Sequence, residues 1–161
     1  MNYEQARAYA VNVSRSGSIL GLDSIENLMH ELGDIQERLK IIHIAGTNGK
    51  GSTGAYLERV LIEAGYRVGR YSSPAVFDPM EVWRINLQSM SHEEYADIME
   101  QVKCACDRMV EKGMEHPTIF EVETAMAFLY FYQKKCDYVL LEVGMGGRTD
   151  ATNLIKKQVC S

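Results

Sequence analysis

The sequence predicts an α/β fold with a phosphate-binding loop and a mainly parallel sheet flanked by helices. A short apolar run at residues 40–45 leads through a glycine-rich loop into the helical pattern of residues 51–64. A second apolar run at residues 137–143 contains the carboxylate of Glu142 near its end and is followed by glycines. Strands that alternate with helices in this way are typical of a parallel sheet, and 161 residues are enough to bury one core.

The remaining elements follow from hydrophobic periodicity and from helix caps. Ser91 with Glu94, and Thr118 with Glu121, have the spacing of a capping box and therefore mark two helix starts. The predicted order is helices at residues 3–15 and 24–32, a strand at 40–45, a helix at 51–64, strands at 67–71 and 82–85, helices at 91–111 and 118–134, a strand at 137–143 and a further strand beginning near 158.

The composition argues against several classes of protein. The formal net charge is -5, whereas a surface that binds duplex nucleic acid usually needs a basic excess. The four cysteines show no Cys–His metal spacing, which indicates reduced thiols. The first residues do not resemble a signal peptide, and no apolar run is long enough to span a membrane. We therefore expect a cytoplasmic protein without a nucleic-acid or membrane partner, and we take it to be a monomer.

The glycine-rich loop at residues 46–53 reads GTNGKGST. Its glycines let the backbone approach a phosphate, and the helix start behind it offers unpaired amides and the positive end of a dipole. Lys50 adds a full positive charge, and Ser52 or Thr53 can face Mg²⁺. Because Gly51 follows Lys50, the loop departs from the strict phosphate-loop pattern. The alternative interpretation is a glycine turn that caps a helix and binds no phosphate. The candidate nucleotide-binding residues are Thr47, Asn48, Gly49, Lys50, Gly51, Ser52 and Thr53.

Glu142 is the candidate metal ligand that the residues themselves suggest. A carboxylate at the carboxyl end of a buried parallel strand can hold Mg²⁺ beside a bound nucleotide. Many strands end in a glutamate, so the position is informative only together with the loop upstream. We predict that Lys50 and Glu142 take part in catalysis.

Three motifs along the chain belong together. The first is GTNGKGST itself, and the second is LEVGMGGRTDATN at residues 141–153. Between them, residues 118–128 form a helical segment that begins Thr-x-Phe-Glu. Together these motifs resemble the folylpolyglutamate synthase and dihydrofolate synthase family, which is related to the Mur ligases. The resemblance covers the whole chain. It implies a Mur-ligase-like central domain that is incomplete, with residues 1–161 as the N-terminal part of the ATP-binding domain and the glutamate-ligase domain absent.

The resemblance also implies an activity and a set of site residues. The family uses ATP and Mg²⁺ to join L-glutamate to the carboxylate of folate or dihydropteroate through an acyl phosphate. Ser73 and Glu142 match its metal ligands, and Ser52 of the loop is a third candidate. The residues that match its pocket for the pterin part of the substrate are Leu20, Gly21, Leu22, Thr118, Phe120, Thr149, Asp150 and Ala151.

Two other functions remain open at this point. One is a Mur-type ligase that acts on a cell-wall precursor, and the other is an isolated nucleotide-binding module without ligase activity. The chain also differs from the family pattern on the substrate side. Ala75 and Val76 replace His-Leu, Val82 and Trp83 replace Arg-Ile, and Leu87 replaces a glycine.

Overall fold

A computed structural model of the chain describes residues 1–17, 23–46, 48–73 and 75–142, together with the backbone of residues 158–160. In this part of the chain, five α-helices and six β-strands follow the predicted order, with one short strand that was not predicted. The helices are α1 (Tyr3–Ser14), α2 (Asp23–Glu31), α3 (Lys50–Glu63), α4 (His92–Glu111) and α5 (Ile119–Gln133). The strands are β1 (Ile41–Ile44), β2 (Val68–Tyr71), β3 (Trp83–Ile85), β4 (Gln88–Ser89), β5 (Tyr138–Glu142) and β6 (Gln158–Cys160).

All six strands form one sheet in the order β4-β3-β2-β5-β1-β6. Strands β2, β5, β1 and β6 are parallel, and β3 and β4 add an antiparallel hairpin beside β2. The predicted mainly parallel sheet is therefore confirmed. Ile44 lies beside Glu142, and Tyr71 lies beside Leu141. Because of this register, the carboxyl ends of β1, β2 and β5 meet at the same edge of the sheet.

Helices cover both faces of the sheet, and the alternation of strand residues assigns each side chain to one layer. On one face, α5 packs against β2, and α1, α2 and α4 enclose it. On the other face, α3 packs against β2 and β5, and its Leu57 and Leu61 contact Ile42, Val68 and Leu140. The two clusters share no residue, so the fold has three layers with the sheet in the middle.

The close packing of α5 on β2 depends on a glycine. A Cβ atom at Gly69 would lie 2.6 Å from Cδ1 of Phe131. Since Phe131 is fully buried, its ring has no room to move away. Its neighbours in the strand, Val68 and Arg70, lie on the opposite face of the sheet, towards α3.

The hairpin between β3 and β4 turns through two residues with positive φ, Asn86 at 47° and Leu87 at 70°. This is the backbone of a type I′ turn, for which Asn-Gly is the preferred pair. Asn86 suits it, and its Oδ1 also accepts a hydrogen bond from the amide of Val68 at 2.8 Å. Leu87 takes the left-handed conformation in spite of its side chain, at the position where the family pattern has glycine.

The helix starts follow the predicted caps. Ser91 and Thr118 accept hydrogen bonds from the amides of Glu94 and Glu121, and both capping boxes are complete. A third capping box begins α1 at Asn2, with Gln5 as its partner, and the sequence analysis missed it. Among the helices that the structure describes, none is long and apolar enough to cross a membrane.

Candidate nucleotide and metal site

The glycine-rich loop connects β1 to α3, as predicted. Gly46 and Gly49 have φ values of 152° and 79°, and Gly49 is the residue that caps the helix. The first backbone bond of α3 runs from the amide of Thr53 to the carbonyl of Gly49, at 2.9 Å. The first turn of a helix has no intrahelical partners for its amides, so the start of α3 and its positive dipole end suit an anion at this loop.

Ser73 and Glu142 lie at the same edge of the sheet as this loop. Glu142 is the last residue of β5, and Ser73 follows β2 after one residue. Both line a cavity of about 240 Å³ together with Gly51 of the loop. The remaining lining residues are Arg70, Ser72, Ala75, Val76, Glu81 and Arg84.

Glu142 is held in this cavity by an arginine from the neighbouring strand. Nη2 of Arg70 donates to Oε1 of Glu142 at 2.9 Å and to the carbonyl oxygen of Gly51 at 3.1 Å. Nη1 of Arg70 donates to Oε2 of Glu58 on α3 at 3.0 Å. Nη2 of Arg84 lies 3.6 Å from the same oxygen of Glu58.

These charges are largely removed from solvent. The side chain of Arg70 is 6% exposed and that of Glu58 is 0% exposed. Burial disfavours the charge on Arg70, but the hydrogen bonds to Glu142 and Glu58 outweigh burial and raise the pKa of Arg70. The guanidinium therefore stays charged at any physiological pH.

The donor atoms in the cavity suit a magnesium ion that is shared with a nucleotide. Mg²⁺ takes oxygen ligands, keeps several waters and usually uses only one or two carboxylates together with substrate phosphates. Glu142 and Ser73 supply a carboxylate and a hydroxyl, and the bond from Arg70 engages one of the two carboxylate oxygens. Within the described residues there is no cluster of three or more His, Cys, Asp or Glu side chains that could hold a metal alone.

Ser52 does not lie with the other two candidate metal ligands. It lines the outer side of α3, next to Tyr56 and Val60. A helix turns by about 100° per residue, so consecutive residues 51 and 52 face different directions, and Gly51 alone reaches the cavity of Ser73 and Glu142. The role of Ser52 as a metal ligand stays a prediction, and the structure places this residue on a different side of α3 from the cavity of Ser73 and Glu142.

The candidate pterin residues that are described lie at the start of α5. Thr118 caps the helix, and Phe120 is partly buried against the main core. Neither residue lines the cavity of Ser73 and Glu142. The other candidates lie outside the described residues: Thr47 of the loop, and Leu20, Gly21, Leu22, Thr149, Asp150 and Ala151 of the predicted pterin pocket.

Comparison with known proteins decides between the families that the sequence left open. The chain is 38% identical over 155 residues to the dihydrofolate synthase/folylpolyglutamate synthase of Bacillus subtilis. The aligned region is 96% of this chain and 36% of the relative. The chain belongs to the folylpolyglutamate synthase/dihydrofolate synthase family. No protein-family model matches the chain.

Solved structures of this family have the same fold. The folylpolyglutamate synthase of Thermotoga maritima superposes with a TM-score of 0.87 and 39% identity, over 95% of this chain and 35% of that protein. A bifunctional folylpolyglutamate synthase/dihydrofolate synthase with Mn, AMPPNP and L-glutamate bound has a TM-score of 0.85 and 38% identity, over 96% of this chain and 37% of that protein. The chain thus spans little more than a third of the length of these family members.

The sequence analysis missed the charged residues around Glu142. Arg70 lies two residues after Val68 on β2, so strand periodicity places both side chains on the face that α3 covers. Glu58 lies one helical turn after Gly54 and therefore shares the inward face of α3. The sequence therefore places two opposite charges, Arg70 and Glu58, on surfaces that are otherwise apolar. Because such charges are seldom buried unless they are paired, this pattern could have indicated the ion pair.

Proposed function

We propose that this chain forms part of an ATP-dependent ligase that joins L-glutamate to the carboxylate of folate or dihydropteroate. The observation that carries the proposal is the convergence of the loop, Ser73 and Glu142 at one edge of a parallel sheet. Family membership supplies the reaction class. The family member that holds Mn, AMPPNP and L-glutamate supports ATP, a divalent metal such as Mg²⁺ and glutamate as the ligands.

In the proposed reaction, the loop binds the phosphates of ATP. The amides at the start of α3 and the ammonium group of Lys50 offset negative charge on the phosphate that is transferred. The substrate carboxylate attacks the terminal phosphorus of ATP, and ADP leaves. The amine of glutamate then attacks the carbonyl carbon of the acyl phosphate, and the amide forms with release of phosphate and a proton. Mg²⁺ would supply further positive charge between nucleotide and carboxylate, and Glu142 and Ser73 are the residues that would hold it.

Further assignments belong to the same proposal. Residues 1–161 would be the N-terminal part of the ATP-binding domain, and the glutamate-binding domain would lie elsewhere in the complete enzyme. The pterin ring would pack near Thr118 and Phe120, because an aromatic side chain at a helix start offers a flat apolar surface. The proposal also includes a monomeric, cytoplasmic enzyme. The loop, Ser73 and Glu142 all lie in one chain, which is compatible with a monomer.

The proposal is tested by replacing Lys50 and Glu142 in the full-length enzyme. Lys50→Ala should lower turnover about 100-fold or more, because it removes a charge that acts on the transferred phosphate. Glu142→Gln should raise the Mg²⁺ requirement and lower turnover. Release of ADP in the presence of glutamate and dihydropteroate or folate measures both effects, and circular dichroism reports whether the fold is retained. Lys40→Ala is the matched control, since Lys40 is an exposed lysine before β1.

The outcomes separate the alternatives. Wild-type turnover in Lys50→Ala would reject the phosphate-binding role. ADP release that depends on a UDP-linked peptide, and not on a folate, would favour a cell-wall ligase. Residues 1–161 alone should not ligate glutamate, so activity of this segment with ATP, Mg²⁺, dihydropteroate and glutamate would contradict the domain assignment.

A further inference from the structure

A buried arginine connects the three elements that carry the candidate site. Arg70 lies in β2, and its guanidinium contacts Glu142 at the end of β5, Glu58 on α3 and the carbonyl oxygen of Gly51 at the loop. Its Nη2 makes both contacts to site residues, while Nη1 makes the contact to Glu58. One planar group therefore fixes the distance between the phosphate loop and the candidate metal ligand.

The local sequence makes room for this guanidinium. A Cβ atom at Gly54 would lie 3.1 Å from Nη2 of Arg70 and 3.3 Å from Cδ1 of Ile44. A larger residue at position 54 would therefore press on the guanidinium from the side of α3. The absence of a side chain at Gly54 lets Arg70 reach past the helix to both Gly51 and Glu142.

We propose that Arg70 is a positioning residue that holds the carboxylate of Glu142 against the phosphate loop in the orientation needed to bind Mg²⁺ with ATP. This inference depends on the proposed function, because it assigns a partner to the metal ligand named there. Arg70 engages Oε1 of Glu142, and a carboxylate with one oxygen hydrogen-bonded keeps the other for a metal. In this role Arg70 acts through Glu142 and is not itself a metal ligand.

The arrangement of charges favours positioning over stability alone. A buried ion pair is costly to desolvate, and two apolar residues of similar volume often give an equally stable protein. Stability therefore does not require both Glu58 and Arg70 to be charged. What a hydrophobic pair cannot provide is a forked donor aimed at Glu142 and Gly51 at the same time.

Three variants of the full-length enzyme separate these roles. Arg70→Met leaves Glu58 buried without its closest partner and should lower stability. The double variant Glu58→Met/Arg70→Met replaces the pair and should recover much of that stability. Arg70→Lys keeps one positive charge for Glu58, but a single ammonium cannot reproduce the fork. All three should need about 10- to 100-fold more Mg²⁺ than wild type, as expected for loss of a group that orients a metal ligand.

The measurement is the Mg²⁺ concentration that gives half-maximal binding of AMPPNP, obtained by calorimetric titration without turnover. Arg67→Met is the matched control, because Arg67 immediately precedes the same strand and donates to the carbonyl of Lys134, outside the cavity. It should bind AMPPNP at the wild-type Mg²⁺ concentration. Thermal unfolding of each variant gives stability independently of metal binding.

The result in the double variant decides the question. If its stability recovers and its Mg²⁺ requirement stays high, Arg70 positions Glu142. If the Mg²⁺ requirement returns to the wild-type value along with stability, Arg70 is only structural and the inference is wrong; a wild-type requirement in Arg70→Lys leads to the same conclusion. Glu142→Gln is the reference: if it leaves the Mg²⁺ requirement unchanged, the metal role of Glu142 fails, independently of Arg70.

Discussion

Glu123 should make the stability of this protein fall as the pH rises from 5 to 8. Burial raises the pKa of Glu123 on α5 from its ordinary 4.5 to about 7, and the nearby charge of Arg7 only partly opposes this shift. In the unfolded chain the carboxyl loses its proton near pH 4.5, whereas in the folded protein it keeps the proton until about pH 7. Between these values the folded state binds more protons than the unfolded state, so its stability decreases with rising pH.

The size of the effect follows from the shift itself. This rise in the pKa of Glu123 changes the free energy of unfolding by at most about 3 kcal/mol. About 2 kcal/mol of stability should be lost between pH 5 and pH 8. Glu123→Gln removes the titrating group and keeps the backbone carbonyl that accepts from Nε1 of Trp83 at 3.2 Å. The variant should therefore be more stable than wild type at pH 8 and nearly equal to it at pH 5.

Urea unfolding at a series of pH values measures this difference. Glu111→Gln, at an exposed position on α4, is the control and should follow the wild-type curve. Parallel pH curves for wild type and Glu123→Gln would refute the reasoning, because they would show that Glu123 titrates alike in the folded and unfolded states. If Glu123→Gln were less stable than wild type at every pH, the carboxylate of Glu123 would instead be making a favourable contact in the wild-type protein.

Two further predictions concern the backbone. Gly69→Ala should cost about 1–3 kcal/mol, because its Cβ atom would overlap the ring of Phe131, and chemical denaturation should show this loss. Gly51→Ala is its control for stability, since a Cβ atom there meets nothing within 4 Å, and equal losses in both variants would contradict the packing argument. Leu87→Gly should stabilise the protein by about 1 kcal/mol, because glycine accepts the left-handed turn without strain. A lower melting temperature would show that the side chain of Leu87 contributes more than the strain costs.

Much of the fold could be predicted because its signals are local. The buried strands are short apolar runs, and α4 and α5 begin at capping boxes that can be read over four residues. Strand β4 was missed because it has only two residues and owes its pairing to the turn before it. The antiparallel direction of β3 is a relation to β2, so no signal within β3 itself shows it. The hairpin of β3 and β4 was missed because Leu87 stands in place of the glycine that would have signalled the turn.

The candidate site could be predicted only in part. The loop can be identified from the spacing of its glycines, and Glu142 from the position of a carboxylate at the end of an apolar strand. The relation between them is set by Arg70 and Glu58, and these two residues meet only after α3 has packed on the sheet. Ser52 became a candidate through its place in the loop motif, and the motif does not show which side of α3 the residue occupies.

Trp83 gives residues 1–161 a built-in optical probe. It is the only tryptophan of the sequence and is 1% exposed, packed between the rings of Tyr71 and Tyr95. Its strand pairs with β2, which leads directly to Ser73. Fluorescence excited at the red edge of the absorption band therefore originates from one place in this segment, where sheet and helices meet. Unfolding would shift that emission to longer wavelengths, and rearrangement beside Ser73 would change its intensity without any added dye.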